Sequence, residues 1–356
     1  VSAGPLRTAL TDLVGCRHPV VQTGMGWVAG PRLVSATANA GGLGVLASAT
    51  MPLDRLAAAI REVRERTDRP FGVNLRADAG DAEERVELLI AERVRVASFA
   101  LAPRPELIAR LKEAGVVVVP SVGARRHAEK VAAWGADAVL VQGGEGGGHT
   151  GPLATTLLLP QVVDAVDVPV IAAGGFFDGR GLAAALAYGA AGVAMGTRFL
   201  LTSDSPVPDA VKRAYLEAAE TVVTRQVDGV PHRVLRTPAV DALERSGPVS
   251  RLAVAVRSAA ALRRDTGLSW GSLLRDGAAM RRARGLSWSQ VLMAANTPML
   301  LKAAMVDGRA DLGVMAAGQA VAAVDDLPGC TELIERIVAD AARSLDRLET
   351  LRHPAP

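Results

Sequence analysis

From His18 to Leu200, short apolar runs alternate with longer stretches in which apolar residues recur every three or four positions. The runs are Pro19–Gly24, Gly42–Ser48, Phe71–Arg76, Val94–Leu101, Val116–Val122, Asp137–Gly143, Pro169–Gly175 and Gly192–Leu200. Most are apolar at successive rather than alternate positions, the mark of strands covered on both faces. Between them Leu53–Arg66, Glu106–Ala114, Ala124–Trp134 and Gly181–Tyr188 have helical periodicity. Eight strands joined by seven crossovers in about 180 residues is the count of a (β/α)8 TIM barrel. A doubly wound open sheet gives the same rhythm, so periodicity alone leaves both open.

Beyond Leu200 the rhythm stops. Thr221–Gly229 reads as a short extended piece, and residues 251–302 as helical segments carrying Trp270 and Trp288. The tetrapeptide Gly-Leu-Ser-Trp stands at 267–270 and again at 285–288, too little for a repeat architecture. Thr331–Leu351 reads as one amphipathic helix. The expected organisation is a barrel over 1–225, a helical insertion over 226–295 able to cover the barrel mouth, and a C-terminal segment over 296–356 that packs back on the barrel.

Composition narrows the class. A chain of 356 residues accommodates one large barrel or two ordinary domains. With 49% apolar and 22% charged residues a sizeable core is available and wholesale disorder is excluded. Aromatics at 3% leave few stacking platforms, which argues against nucleic acid as a partner. The net charge of +3 comes from interspersed charges and reads as a small excess rather than a basic patch. Cys16 and Cys330 lie at opposite ends and offer neither metal-ligand spacing nor a disulfide framework, so a reducing cytoplasm is the expected location. The uncharged stretch Leu33–Leu53 contains Gly41, Gly42, Gly44 and Pro52; it reads as helix, turn and buried strand, and no membrane insertion is expected. Self-association into a homo-oligomer stays open.

In barrels of this kind the working groups stand at the C-terminal ends of the strands, with a phosphate commonly held after strands seven and eight. At those places the chain has Ala172-Ala173-Gly174-Gly175 and Met195-Gly196-Thr197-Arg198. Glycine lets backbone N–H groups approach an anion with no Cβ in the way. A tight turn is the plainer use of either pair, but two at successive strands favour phosphate. Strand six runs into Gln142-Gly143-Gly144-Glu145-Gly146-Gly147-Gly148-His149-Thr150-Gly151, six glycines around one glutamate and one histidine. His149 therefore stands where a barrel presents catalytic groups, and imidazole suits proton transfer near neutrality. The other histidines read as ordinary: His18 before Pro19, His127 in a charged helix, His232 in a Pro-His-Arg turn and His353 in the tail. Gly146, Gly148 and Gly151, and likewise Gly24, Gly26 and Ala29, satisfy a dinucleotide glycine pattern, but no following strand ends in the acid that pattern requires.

These segments, with Val21-Gln-Thr-Gly-Met25, Gly72-Val-Asn-Leu75 and Ala317-Gly-Gln319, resemble the nitronate monooxygenase (2-nitropropane dioxygenase-like) family. Its members are FMN-dependent barrels related to the flavin-dependent enoyl-ACP reductases. The likeness spans about 18–225 and, less closely, 296–340. It implies FMN as cofactor, with Thr23, Gly24, Met25 and Asn74 at the flavin ring. It places Gln142, Gly143 and Gly148 along the ribityl side, and Gly174, Gly175, Gly196 and Thr197, with Met195 beside them, at the phosphate. His149 matches the family's active-site base, and no metal is implied. The chain departs from the commonest pattern in reading Gln-Thr-Gly-Met where many members have Gln-Ala-Pro-Met, and Gly146 where Ala is usual. It also carries an Arg-rich insertion from Arg233 to Gln290 with two tryptophans. That combination looks most like the flavoproteins of actinobacterial steroid degradation. It implies a small-molecule substrate of the acyl-CoA type, a bicyclic steroid remnant oxidised or reduced beside a carbonyl, with NAD(P)H or NAD(P)+ as electron partner. The arginines either receive CoA phosphates or form a solvated helical face. Nitronate oxidation with oxygen, enoyl-thioester reduction, and a flavin-storing barrel without turnover are the alternatives.

Overall fold

The computed structural model describes residues 6–266, 269–284, 288–294 and 296–352. Eight parallel strands close on themselves: β1 (Val20–Gln22), β2 (Leu43–Ala47), β3 (Phe71–Arg76), β4 (Val96–Ala100), β5 (Val117–Val122), β6 (Val139–Gln142), β8 (Val170–Ala173) and β9 (Gly192–Met195). Closure is made by β1 against β9, with Val20 opposite Val193 and Gln22 opposite Met195. That pairing removes the open-sheet alternative. β7 (Gly148–His149) lies outside the barrel and joins β10 (Thr221–Thr224) and β11 (His232–Leu235) in an antiparallel sheet ordered β10-β11-β7.

The continuous apolar runs are explained by burial on both sides. Val21, Val45, Val96, Val119, Leu140 and Ile171 fill the barrel interior, while their neighbours Val20, Val139, Val141, Val170 and Val193 pack outward against helices. The helix Ala9–Val14 adds Leu10 and Val14 to the interior cluster. Arg95 fixes it there by donating to the carbonyls of Leu13 at 2.6 Å and Val14 at 3.3 Å. The N-terminal end of the barrel is thereby closed, and the C-terminal end forms the mouth.

The last run, Gly192–Leu200, is not one strand. β9 ends at Met195 and Thr197–Leu200 is a short helix. The run stays apolar throughout because Phe199 and Leu200 are as buried as the strand. The place of an eighth outer helix is taken by Cys330–Arg352, which packs against the helices Gly179–Ala187 and Pro31–Asn39. Its backbone comes so close to Gly179 that a Cβ there would lie 2.2 Å from the Ile337 carbonyl. Asp204 caps it by accepting from the Cys330 N–H at 2.7 Å, placing a carboxylate at the positive end of the helix dipole. The Gly-Leu-Ser-Trp copies lie partly outside the described residues, as does His353. Among the described residues no helix is long and apolar enough to cross a membrane.

Candidate active site

The barrel mouth opens into a cavity of about 560 Å³, within the range of small-molecule and cofactor sites. Its depth is apolar, lined by Val21, Val45, Val96, Val119, Leu140 and Ile171. From the barrel strands themselves the polar groups at the wall are Asn74 on β3, Ser98 on β4, Ser121 on β5 and Gln142 on β6. Such a slot accepts a flat, largely apolar ring system with polar edges.

One side is built from backbone. Gly174 and Gly175, with φ of +95° and +86°, turn the chain in the left-handed region at the end of β8, a conformation that favours glycine. Gly196 opens the helix Thr197–Leu200 beside them. Gly24 lies against Asn74, where a Cβ would fall 2.5 Å from that residue's own Cβ. The segment Ala317-Gly-Gln319 locks this side to the histidine loop. Gly318 N–H donates to Thr197 Oγ1 at 2.9 Å, and Gln319 N–H to the Glu145 carbonyl at 2.9 Å. The Glu145 carboxylate is turned away from the mouth, accepting from the Thr155 N–H at 2.9 Å and from its hydroxyl at 2.8 Å. It therefore anchors the loop to the start of the helix Thr155–Val163.

The opposite side is built from side chains. His149 on β7 pairs with His232 on β11, and their rings lie 4.6 Å apart, tilted by 47°. Nε2 of His149 faces Oδ2 of Asp228 at 2.6 Å. That oxygen also accepts from Thr297 Oγ1 at 2.7 Å, and Oδ1 accepts from the Val230 N–H at 3.1 Å. Asp228 is 5% exposed against 44% for His149. Burial works to raise its carboxyl pKa, but the contacts with His149, Thr297 and Val230 together outweigh burial and hold it at about 2. Asp228 is thus a fixed anion. Because it accepts from Nε2, the neutral imidazole carries its proton there and keeps a lone pair on Nδ1.

His232 behaves differently. Burial, then the neighbouring His149, push its pKa down to about 4, with Asp228 acting weakly in the other direction. Its Nδ1 is buried without a hydrogen-bond partner among the described residues. It is therefore a neutral packing surface for His149. His149, Asp228 and His232 offer donor atoms within 4.8 Å of one another, but the direct contact between the first two is a hydrogen bond, suited to holding a proton.

The structure brings Thr23, Gly24, Met25, Asn74, Gln142, Gly148, His149, Gly174, Gly175, Met195, Gly196 and Thr197 to the cavity wall. Gly143 stands behind that wall, where a Cβ would fall 2.0 Å from Thr155 Oγ1; its glycine serves packing. His232, read from sequence as an ordinary turn residue, is at the site instead. Asp228 and Thr297 carry no sequence signal: they reach His149 from 79 and, through Asp228, a further 69 residues away.

The family model for nitronate monooxygenase matches residues 7–86 and 78–340. A Mycobacterium tuberculosis H37Rv protein is 69% identical over 351 residues, covering 97% of this chain and 99% of its own length. It is named (3aS,4S,5R,7aS)-5-hydroxy-7a-methyl-1-oxo-octahydro-1H-indene-4-carboxyl-CoA dehydrogenase. A Rhodococcus jostii RHA1 protein of the same name is 65% identical over 349 residues, covering 98% and 99%. Among solved structures, FabK from Thermotoga maritima superposes with a TM-score of 0.81 at 34% identity, covering 97% of this chain and 99% of that one.

Proposed function

The chain belongs to the nitronate monooxygenase family of flavin-dependent oxidoreductases, and from that premise we propose that it is an FMN-dependent dehydrogenase of a bicyclic hydroxyacyl-CoA. The observation that carries this reading is the His149–Asp228 pair facing a glycine-walled apolar slot. The two relatives named for a 5-hydroxy-indene-4-carboxyl-CoA align over nearly the whole chain and supply the substrate class.

FMN fits the slot from both ends. Gly174, Gly175 and Gly196 offer backbone without Cβ bulk, beside Thr197 at the start of its helix, where a phosphate dianion would sit, and Asn74 and Gln142 would stand at the polar edge of the ring. When bound, the flavin supplies a two-electron acceptor for a substrate hydride. The protein's own part is proton removal. Nδ1 of His149 takes the acidic proton α to the thioester carbonyl as the hydride leaves the neighbouring carbon, and Asp228 stabilises the resulting imidazolium through Nε2–H. Thr297 and the Val230 N–H hold the carboxylate in place, so the imidazole is oriented before substrate arrives. The apolar walls exclude water from the reacting face.

The test is anaerobic mixing of the yellow holoenzyme with a 5-hydroxy-indene-carboxyl-CoA, followed at the flavin band. Bleaching within the time of turnover supports the reading. Oxygen uptake with propionate 3-nitronate and no bleaching by the thioester would replace it with nitronate oxidation. Bleaching by NAD(P)H and reoxidation by an enoyl thioester, with no reaction in the forward direction, would replace it with thioester reduction. Extraction of FAD, or of no flavin, would contradict it outright.

A further inference from the structure

The insertion holds a feature the catalytic site does not use. Residues 263–274 read Arg-Arg-Asp-Thr-Gly-Leu-Ser-Trp-Gly-Ser-Leu-Leu and 281–292 read Arg-Arg-Ala-Arg-Gly-Leu-Ser-Trp-Ser-Gln-Val-Leu. The copies share both arginines, the tetrapeptide and the final leucine, so the repeated unit is longer than the tetrapeptide alone. In each copy the first arginine lies over the tryptophan of its own copy. The Arg263 guanidinium is 5.2 Å from the Trp270 ring centre, and that of Arg281 is 5.6 Å from the Trp288 ring centre. Both indoles are 51% exposed, although side chains of that size are usually well buried.

The charge is concentrated here as well. Residues 251–284 contain eight arginines and two aspartates, whereas the whole chain carries only +3. The remainder is therefore net acidic, and the basic excess is concentrated in this segment of the sequence. The segment is tied to the barrel mouth. Asp276, on the helix Trp270–Arg284, accepts a hydrogen bond from the backbone of Gly80 in the loop after β3. The chain then enters the helix Asn296–Met305, whose Thr297, Leu301 and Met305 line the cavity.

We propose that the paired Arg263–Trp270 and Arg281–Trp288 platforms bind the nucleotide end of the CoA thioester, the indoles stacking on adenine and the guanidiniums pairing with its phosphates. Guanidinium forks match phosphate oxygens, and an indole with a cation on it offers an aromatic surface to a purine. CoA combines one purine with a 3′-phosphate and a diphosphate, the combination an arginine-and-indole surface is suited to hold. A nucleic acid or an anionic membrane also uses basic and aromatic groups, but neither would call for the platforms to stand on a segment joined to the cavity-lining helix Asn296–Met305, as the nucleotide end of a thioester does. This inference rests on the acyl-CoA reading of function.

The experiment uses the holoenzyme and 3′,5′-ADP, which carries the adenine and 3′-phosphate of CoA without any acyl group. Calorimetry should show saturable binding, weakened about tenfold or more in Trp270→Ala/Trp288→Ala. The surface variant Arg263→Gln/Arg281→Gln, which disturbs no core, should weaken it similarly. The KM for a CoA thioester should rise in both variants. Undetectable binding of 3′,5′-ADP to the parent, or equal affinity in parent and variants, overturns the proposal while leaving thioester turnover intact. Variant-sensitive binding in a protein whose flavin no CoA thioester bleaches sustains the nucleotide site and sinks the proposed reaction instead.

Discussion

The two sides of the cavity are made in opposite ways. The wall formed by Gly24, Gly174, Gly175 and Gly196 is backbone, set at the ends of β1, β8 and β9, and each part is placed by its own strand. The wall formed by His149, Asp228, His232 and Thr297 is side chain, and its members come together only through the β7–β11 pairing and the helix Asn296–Met305. A cradle for a cofactor needs space and N–H groups, which local glycine supplies. Proton handling needs a donor, an acceptor and a fixed anion, which one strand end cannot supply alone. The division says that damage to one wall should remove the cofactor, and damage to the other should leave the cofactor and slow the chemistry.

The largest separation is expected from the backbone wall. Gly24→Val forces a branched side chain into Asn74 and should weaken flavin binding about 100-fold, by the energy of an overpacked site. The flavin absorbance per protein would report it, with circular dichroism showing the barrel intact. A yellow Gly24→Val protein would mean that this wall does not bound the cofactor. Asp228→Asn should keep the flavin and slow its reduction by substrate about 10- to 100-fold, the usual effect of removing a partner that orients a working histidine. A colourless Asp228→Asn protein would show that the two walls are not independent.

His232 sharpens the comparison through pH. Its folded pKa of about 4 lies below the unfolded value near 6.5, so the unfolded chain binds a proton that the folded chain refuses. Stability is then complete above about pH 6.5 and falls as the pH drops towards 4, by on the order of 3 kcal/mol. Asp228, held at about 2, adds its own loss only below its ordinary pKa of 3.8, so the two windows separate. Urea titrations at pH 7.5 and 4.5 should show the loss in the parent and a much smaller one in His232→Phe. Thr297→Val removes one hydrogen bond to a carboxylate that keeps its others, and should slow flavin reduction about fivefold, near 1 kcal/mol.

The same contrast explains what could be read in advance. The barrel was legible because Val20, Val139 and Val193 are buried on one face and Val21, Leu140 and Ala194 on the other, so the strands are continuous apolar runs. That Gly24, Gly174, Gly175 and Gly196 line the cavity was legible because strand ends are local. Gly143 could not be told from the wall glycines, because a glycine packed against Thr155 looks the same in sequence as one that faces the cavity. Asp228 sits in an Asp-Gly turn like any other, and His232 in a Pro-His-Arg segment; only strand pairing across the mouth turns them into partners of His149. The break after Met195 was hidden because Phe199 and Leu200 are buried too.

The central claim is that His149 moves the proton while the cradle holds the cofactor without it. Stopped-flow reduction of the flavin in His149→Ala by the hydroxyacyl-CoA, under anaerobic conditions, tests it directly. The account expects full flavin content and a reduction rate lower by about 100-fold or more. Reduction at the parent rate with flavin bound, or loss of the flavin on substitution, would contradict it.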